Sequence, residues 1–176
     1  MASETAALLA DGKLAGAWTL DGAKSSVGLR SKSMWGLVKV KGFFGQVTGA
    51  AVISAAGEAT GTITVAAASV DTGLKKRDDH LRSADFFDAA KYPDITFSAT
   101  SVTLAGENAT VVGTLTVRDQ TRPVTVSGAV SANGTGEISL DAELPVNRGQ
   151  YGMSFNQLGM MSLDNIIAIH AVFTKA

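Results

Sequence analysis

Arg77-Asp78-Asp79-His80-Leu81-Arg82-Ser83-Ala84-Asp85-Phe86-Phe87-Asp88, continuing through Lys91-Tyr92-Pro93-Asp94-Ile95-Thr96-Phe97, is the only long stretch that does not read as a β-strand. Leu74, Leu81 and Ala84 fall on one helical face, and Asp78 and Arg82 stand at the i, i+4 spacing of a favourable surface pair. Pro93 forces Tyr92 into extended backbone and starts the next strand. The pattern predicts a short helix over about 74–88, inserted as a crossover or lid between two strands. Its apolar edge is extended by Phe86 and Phe87. These two rings either close a lumen around an apolar ligand or plug the barrel end as core.

On both sides of this helix the chain reads as alternating strands divided by Gly, Asn, Asp and Pro. Expected strands are 26–34, 39–54, 60–70, 95–104, 110–118, 123–131, 137–146 and 163–175. The second is long and interrupted by Gly42, Gly45 and Gly49, as bends in a barrel require. Arg118-Asp119-Gln120-Thr121-Arg122-Pro123 reads as a tight hairpin, and Asn133-Gly134 is a strong turn signal. Eight antiparallel strands with one apolar face each predict an all-β, eight-stranded, lipocalin-like barrel, which encloses side chains alone or one small ligand. The inward candidates include Ala67, Ala99, Gly113, Gly128, Ala142 and Ala171. Small residues leave room in a lumen, or they merely relieve curvature; composition does not separate the two.

At 176 residues the chain fits one domain, here residues 16–176 preceded by a flexible segment, 1–15. Fifteen basic against sixteen acidic residues give a net charge of −1, without the basic block that nucleic-acid binding needs. The absence of cysteine excludes disulfides, thiolate catalysis and sulfur-ligated metals. No stretch is apolar for the ~18 residues that span a bilayer, and the first residues lack the basic start of a secretory signal. A complete chain of this kind is expected in the cytoplasm.

Chemistry-bearing motifs are few. The two histidines, His80 and His170, form no HxH or HxxxH pair, and no nucleophile elbow, phosphate loop or dinucleotide fingerprint occurs. His80 is expected to tie the helix to a neighbouring loop, and Arg77 and Asp79 to form a solvated face. A second irregular region, 147–161, carries Met153, Met160 and Met161 with Tyr151 and Phe155. It forms an adaptable apolar surface or a cap on the barrel mouth. The candidate apolar lining is Val27, Leu29, Met34, Trp35, Phe43, Val65, Phe86, Phe87, Phe97, Leu115, Phe155, Ile167 and Ile169.

From Trp18 onward the chain resembles the YceI-like family. Trp18-Thr19-Leu20-Asp21 resembles its opening motif; Ser26-Val27-Gly28-Leu29 with Lys39-Val40-Lys41-Gly42-Phe43-Phe44-Gly45 is similar to its first hairpin. The stretch Arg77 to Phe97 matches in charge pattern, paired Phe and Tyr-Pro together. Gly113 to Arg118 with Arg122-Pro123-Val124 resembles the later hairpin, and Asn147-Arg148 with Tyr151-Gly152 the loop before the last strand. The resemblance implies a barrel with an elongated apolar lumen that holds a polyisoprenoid, an isoprenoid quinone or a related prenyl lipid, with no required cofactor and with a homodimer as one available assembly. Where the family often has histidines, this chain has Lys24-Ser25 and Ser33, so its head-group preference is expected to differ.

Three functions are carried forward. The first is non-enzymatic binding, transport or storage of a long apolar lipid. The second is an enzyme acting on a prenyl-type substrate, with His80 or Asp164 as acid or base. The third is a ligand-free, stress-related barrel with a packed interior.

Overall fold

The computed structural model describes residues 4–105, 107–156, 159 and 161–176. Helix α1 (Glu4–Ala10) leads into β1 (Gly16–Leu20), β2 (Ser26–Ser33), β3 (Val38–Phe44), β4 (Val47–Ile53), β5 (Ala59–Ala66) and β6 (Val70–Asp71). Helix α2 (Lys75–Arg82) follows, then β7 (Asp94–Ala105), β8 (Asn108–Val117), β9 (Gln120–Asn133), β10 (Glu137–Asn147) and β11 (Asp164–Lys175). All pairings are antiparallel. The ring β1-β4-β5-β7-β8-β9-β10-β11 closes where Trp18–Leu20 pair with Phe173–Lys175. Closure leaves this ring without a free edge.

The remaining strands extend the same barrel. β11 pairs with β1 at one end and with β2 over Ile166–His170, so β1 and β2 act as one broken staff. Likewise β3 and β4 divide the single strand expected over 39–54, parting at Gly45, whose amide donates to the Ser69 carbonyl at 3.0 Å. β5 and β6 divide the strand expected over 60–70.

Period-two burial puts Ala109, Val111, Gly113, Leu115 and Val117 of β8 inside. In β7 the register slips between Ala99 and Ser101. That bulge re-phases the strand, so Val102 and Leu104 face inward instead of Ser101 and Thr103.

The N-terminal segment differs from the flexible lead expected over 1–15. α1 lies across one barrel end, with Leu14 fully buried and Thr5 2% exposed. The Ala132 amide donates to Thr5 Oγ1 at 2.8 Å, and the Trp18 indole N–H donates to the Leu14 carbonyl at 2.9 Å. Leu8 and Leu9 complete an apolar cluster with Trp18, Ile53 and Ile138, and burial of that surface holds the segment down.

α2 is shorter than the 74–88 expected. Ser83 ends it in extended backbone, its hydroxyl and amide both donating to the His80 carbonyl. Leu74 is exposed rather than part of an apolar edge. Asp78 is buried and accepts from the Thr72 amide and hydroxyl instead of pairing with Arg82. Arg82 bonds Asp79 and the carbonyls of Ala68 and Val70. These bonds clamp α2 onto the β5–β6 end of the sheet.

Candidate ligand chamber

Two apolar cavities lie end to end inside the barrel. The first, about 150 Å³, is lined by Val27, Leu29, Val65, Phe97, Leu115 and Ile167 among others, beneath Phe86 and Phe87. The second, about 120 Å³, is bounded by Trp18, Ala99, Val111 and Phe173 and floored by Thr5, Leu9 and Leu14 of the N-terminal segment. Ile63 and Phe97, register partners on β5 and β7, line both and form the waist between them. Both walls are mainly apolar and offer water few of the two to four polar partners it needs, so the chambers suit hydrocarbon.

Phe86 and Phe87 leave the end of α2 and both are buried. Phe87 meets Phe44 edge-on at 5.7 Å, and Phe86 meets His80 at 5.0 Å. The Phe87 amide donates to the Leu81 carbonyl at 2.9 Å, which fixes the turn that carries both rings.

His80 stays outside the chambers: its Nε2 lies 2.9 Å from an Asp85 carboxylate oxygen, and its ring meets Phe155 at 4.9 Å. Asp164 is exposed at the start of β11, and His170 pairs outward with Asp141. Arg77 is not merely solvated. Its Nε and Nη2 donate to the Thr72 hydroxyl and carbonyl at 2.7 Å each, and it lines the first chamber.

Nine of the thirteen sequence candidates line the first chamber: Val27, Leu29, Val65, Phe86, Phe87, Phe97, Leu115, Ile167 and Ile169. The other four do not. Phe43 faces solvent and Phe44 faces in, because β3 alternates with Lys39 and Lys41 outside and Val40, Gly42 and Phe44 inside. Met34 and Trp35 form the exposed tip of the β2–β3 hairpin. Phe155 packs against Phe86 at 5.7 Å behind the lining. The lysine pattern in 38–44 already carried the parity that separates Phe43 from Phe44.

Lining residues outside the thirteen candidates include Ile63, Ile95, Val117, Leu144 and Val146, with Met153 and Met161 from the loop that the sequence singled out. The least foreseeable is Arg148, which is 6% exposed. Its Nε donates to the Ser162 carbonyl at 3.1 Å, Nη1 to the Met153 carbonyl and Nη2 to the Met161 carbonyl. Its guanidinium stands over Phe86 at 5.3 Å. Burial lowers its pKa from the ordinary arginine value. Burial likewise raises that of Tyr151 in the same loop, whereas Asp79 on α2 is held below the usual carboxylate value first by its hydrogen bond from Lys75. Arg148 therefore closes the 148–162 loop over the chamber from inside. Met160, singled out from sequence, lies outside the described residues.

The polar residues lining the first chamber are Ser31, Lys32, Ser33, Arg77, Arg148, Ser162 and Asn165, and no carboxylate or histidine lines either chamber among the described residues. Nor does any group of three or more His, Asp or Glu among those residues gather as a metal site.

A family model described as the YceI-like domain matches residues 18–174. The chain belongs to the YceI-like family. Its sequence is 44% identical over 72 residues to "Protein YceI" of Escherichia coli O17:K52:H18, and the match spans 38% of that relative's length. Burkholderia cenocepacia BcnA superposes with a TM-score of 0.79 at 29% identity, covering 87% of this chain and 98% of BcnA. A polyisoprenoid binding domain from Saccharophagus degradans shares the fold with a TM-score of 0.76 at 18% identity, covering 90% and 98%. The match to the family begins at Trp18, so α1, the floor of the second chamber, lies outside it. No helix among the described residues is long and apolar enough to cross a membrane.

Proposed function

We propose that this protein binds a long apolar lipid of the polyisoprenoid type, including prenyl quinones, along the barrel axis, and serves as a non-enzymatic carrier or reservoir. The observation that carries this reading is the pair of apolar chambers that share Ile63 and Phe97 in their walls. An isoprene unit has five carbons, so its burial contributes roughly 4 kcal/mol before the cost of ordering the chain. A few units give tight binding without any specific polar contact. The solved polyisoprenoid binding domain of the same fold supports the same ligand class.

The lining also orients the ligand. Ser31, Ser33, Asn165 and the guanidinium hydrogens of Arg77 and Arg148 not already bonded to protein oxygens offer donors, and no carboxylate among the described residues lines the chamber. A head group of acceptors, such as a quinone carbonyl, fits the first chamber, and the tail runs past the waist toward α1. The same absence of a lining acid or histidine weighs against acid–base catalysis on a bound prenyl chain.

Leu115→Arg and Phe87→Asp test the reading. An unpaired charge in an apolar chamber costs several kcal/mol, comparable to the gain from one or two isoprene units. Both variants are expected to lose a bound prenyl quinone while keeping a β-rich circular dichroism spectrum. Retention of wild-type lipid content in either folded variant would contradict the site.

A further inference from the structure

The tip of the β2–β3 hairpin carries a cluster of exposed apolar side chains. Met34, Trp35, Leu37 and Val38 are 44%, 65%, 85% and 43% exposed. Met34 and Trp35 take left-handed backbone, φ 50° and 55°, and the Leu37 amide closes the turn onto the Met34 carbonyl at 3.1 Å. That conformation is strained for a bulky residue. Here it leaves the indole largely exposed, with its Nε1 edge near Gly159.

Below the tip, β2 and β3 themselves carry charges of one sign. Lys32 lies opposite Lys39 in the register, and Arg30 opposite Lys41. Like charges directly opposite one another destabilise a strand pair. Arg30 is relieved by Glu143, whereas Lys32, Lys39 and Lys41 have no ion-pair partner among the described residues. Residues 30–42 hold these four cations and no Asp or Glu, although the whole chain has a net charge of −1. Asp164 at the start of the adjoining β11 is the acidic group of the neighbouring strand end, and its amide is taken by Ser162 Oγ.

An exposed tryptophan and leucine beside three lysines without ion-pair partners among the described residues fits the interface of an anionic bilayer. There the indole sits at head-group depth, and each nearby cation adds to the attraction. We propose that the β2–β3 tip docks on an anionic membrane surface. Ser31, Ser33 and Val40 of the same hairpin line the first chamber, and the Ser162 amide bonds the Lys32 carbonyl at 3.0 Å. Docking therefore brings the hairpin wall of the first chamber to the bilayer, where a prenyl lipid enters or leaves. That last step rests on the lipid-binding reading; the docking itself does not.

The test is sedimentation with vesicles of phosphatidylcholine alone and of phosphatidylcholine mixed with phosphatidylglycerol, together with tryptophan emission. The chain has two tryptophans, and Trp18 is 1% exposed, so a blue shift on binding reports Trp35. The wild type is expected to bind the anionic vesicles with a blue shift, to bind neutral ones weakly, and to release as salt is raised. Lys32→Gln with Lys39→Gln should weaken binding about 30-fold, two cations at about 1 kcal/mol each. Leu37→Asp should abolish both binding and the shift with the melting temperature unchanged. No binding by the wild type, equal binding to both vesicle types, or variants that bind like the wild type would overturn the proposal. A concentration-dependent dimer that Leu37→Asp dissolves would overturn it in favour of a second copy of the chain. Leu115→Arg should still dock, which separates failure of the docking surface from failure of the lipid chamber.

Discussion

Replacing Arg148 by Met removes the clamp that closes the 148–162 loop while keeping much of the side chain's bulk. Two of its three bonds to carbonyls are close, those to Ser162 and Met153; the third, to Met161, is long at 3.4 Å. Bonds from a charged donor contribute about 1.5–3 kcal/mol each. Against that gain stands the cost of holding a guanidinium at 6% exposure with only neutral partners, a cost the substitution relieves. The net loss is about 3 kcal/mol, concentrated in the loop, because strands β7 to β9 do not touch these bonds. Hydrogen exchange reads such local opening directly. The Arg148 amide, bonded to Leu163, and the Met153 amide, bonded to residue 148, should exchange about 100-fold faster. Amides in the middle of β8 should keep wild-type rates. A bound prenyl quinone should leave faster from the same variant. Loop exchange within about threefold of wild type, given a folded variant, would refute the assignment of Arg148 as the clamp.

Other consequences follow from the same geometry. Burial raises the Tyr151 pKa above the usual tyrosine value of 10.0, so the folded state keeps its proton where the unfolded chain loses it. The stability this gives is whole below about pH 10 and is lost as pH rises through the folded pKa; Tyr151→Phe should flatten that alkaline fall in a denaturant titration. A Cβ at Gly113 would sit 2.0 Å from the Ser98 carbonyl oxygen of the paired strand, whereas one at Gly136 meets nothing within 4 Å. Gly113→Ala should lose about 2 kcal/mol or more, lowering the melting temperature by roughly 6 °C, and Gly136→Ala should change it little. Removing residues 1–10 takes away a helix about 10 Å wide from the floor of the second chamber. An extended isoprene unit is about 5 Å long, four bonds of about 1.5 Å in a zigzag. The longest prenyl alcohol retained in native mass spectrometry should therefore grow by about two units; an unchanged limit would remove α1 from the account.

The barrel was legible because alternation is a strong local signal wherever one face is buried. β8 shows it best: Val111, Leu115 and Val117 fixed its inner face before any partner strand was known. The lid was legible as a break in that alternation, but its length was not. Tertiary bonds from Asp78, Arg77 and Arg82 to Thr72, Ala68 and Val70 hold a helix that ends at Arg82, and sequence spacing reports no such partner. Phe43 against Phe44 shows how a half-buried strand with apolar residues on both faces hides a one-residue parity, although its lysines reveal it. Trp35 illustrates the opposite error. It stood among the candidate lining residues, and its left-handed turn leaves it largely in solvent. Arg148 and α1 were missed because their roles come from chain segments that meet across the barrel ends, where no periodic pattern exists. The waist at Ile63 and Phe97 depended on the β5–β7 register, which only pairing supplies.

The central claim is that the two chambers form one lipid site. Native mass spectrometry of the purified protein, followed by organic extraction and identification of what is released, tests it most directly. The account predicts one prenyl lipid or quinone per barrel, lost from Leu115→Arg. A bare mass that persists after incubation with prenyl lipids of several lengths would contradict it.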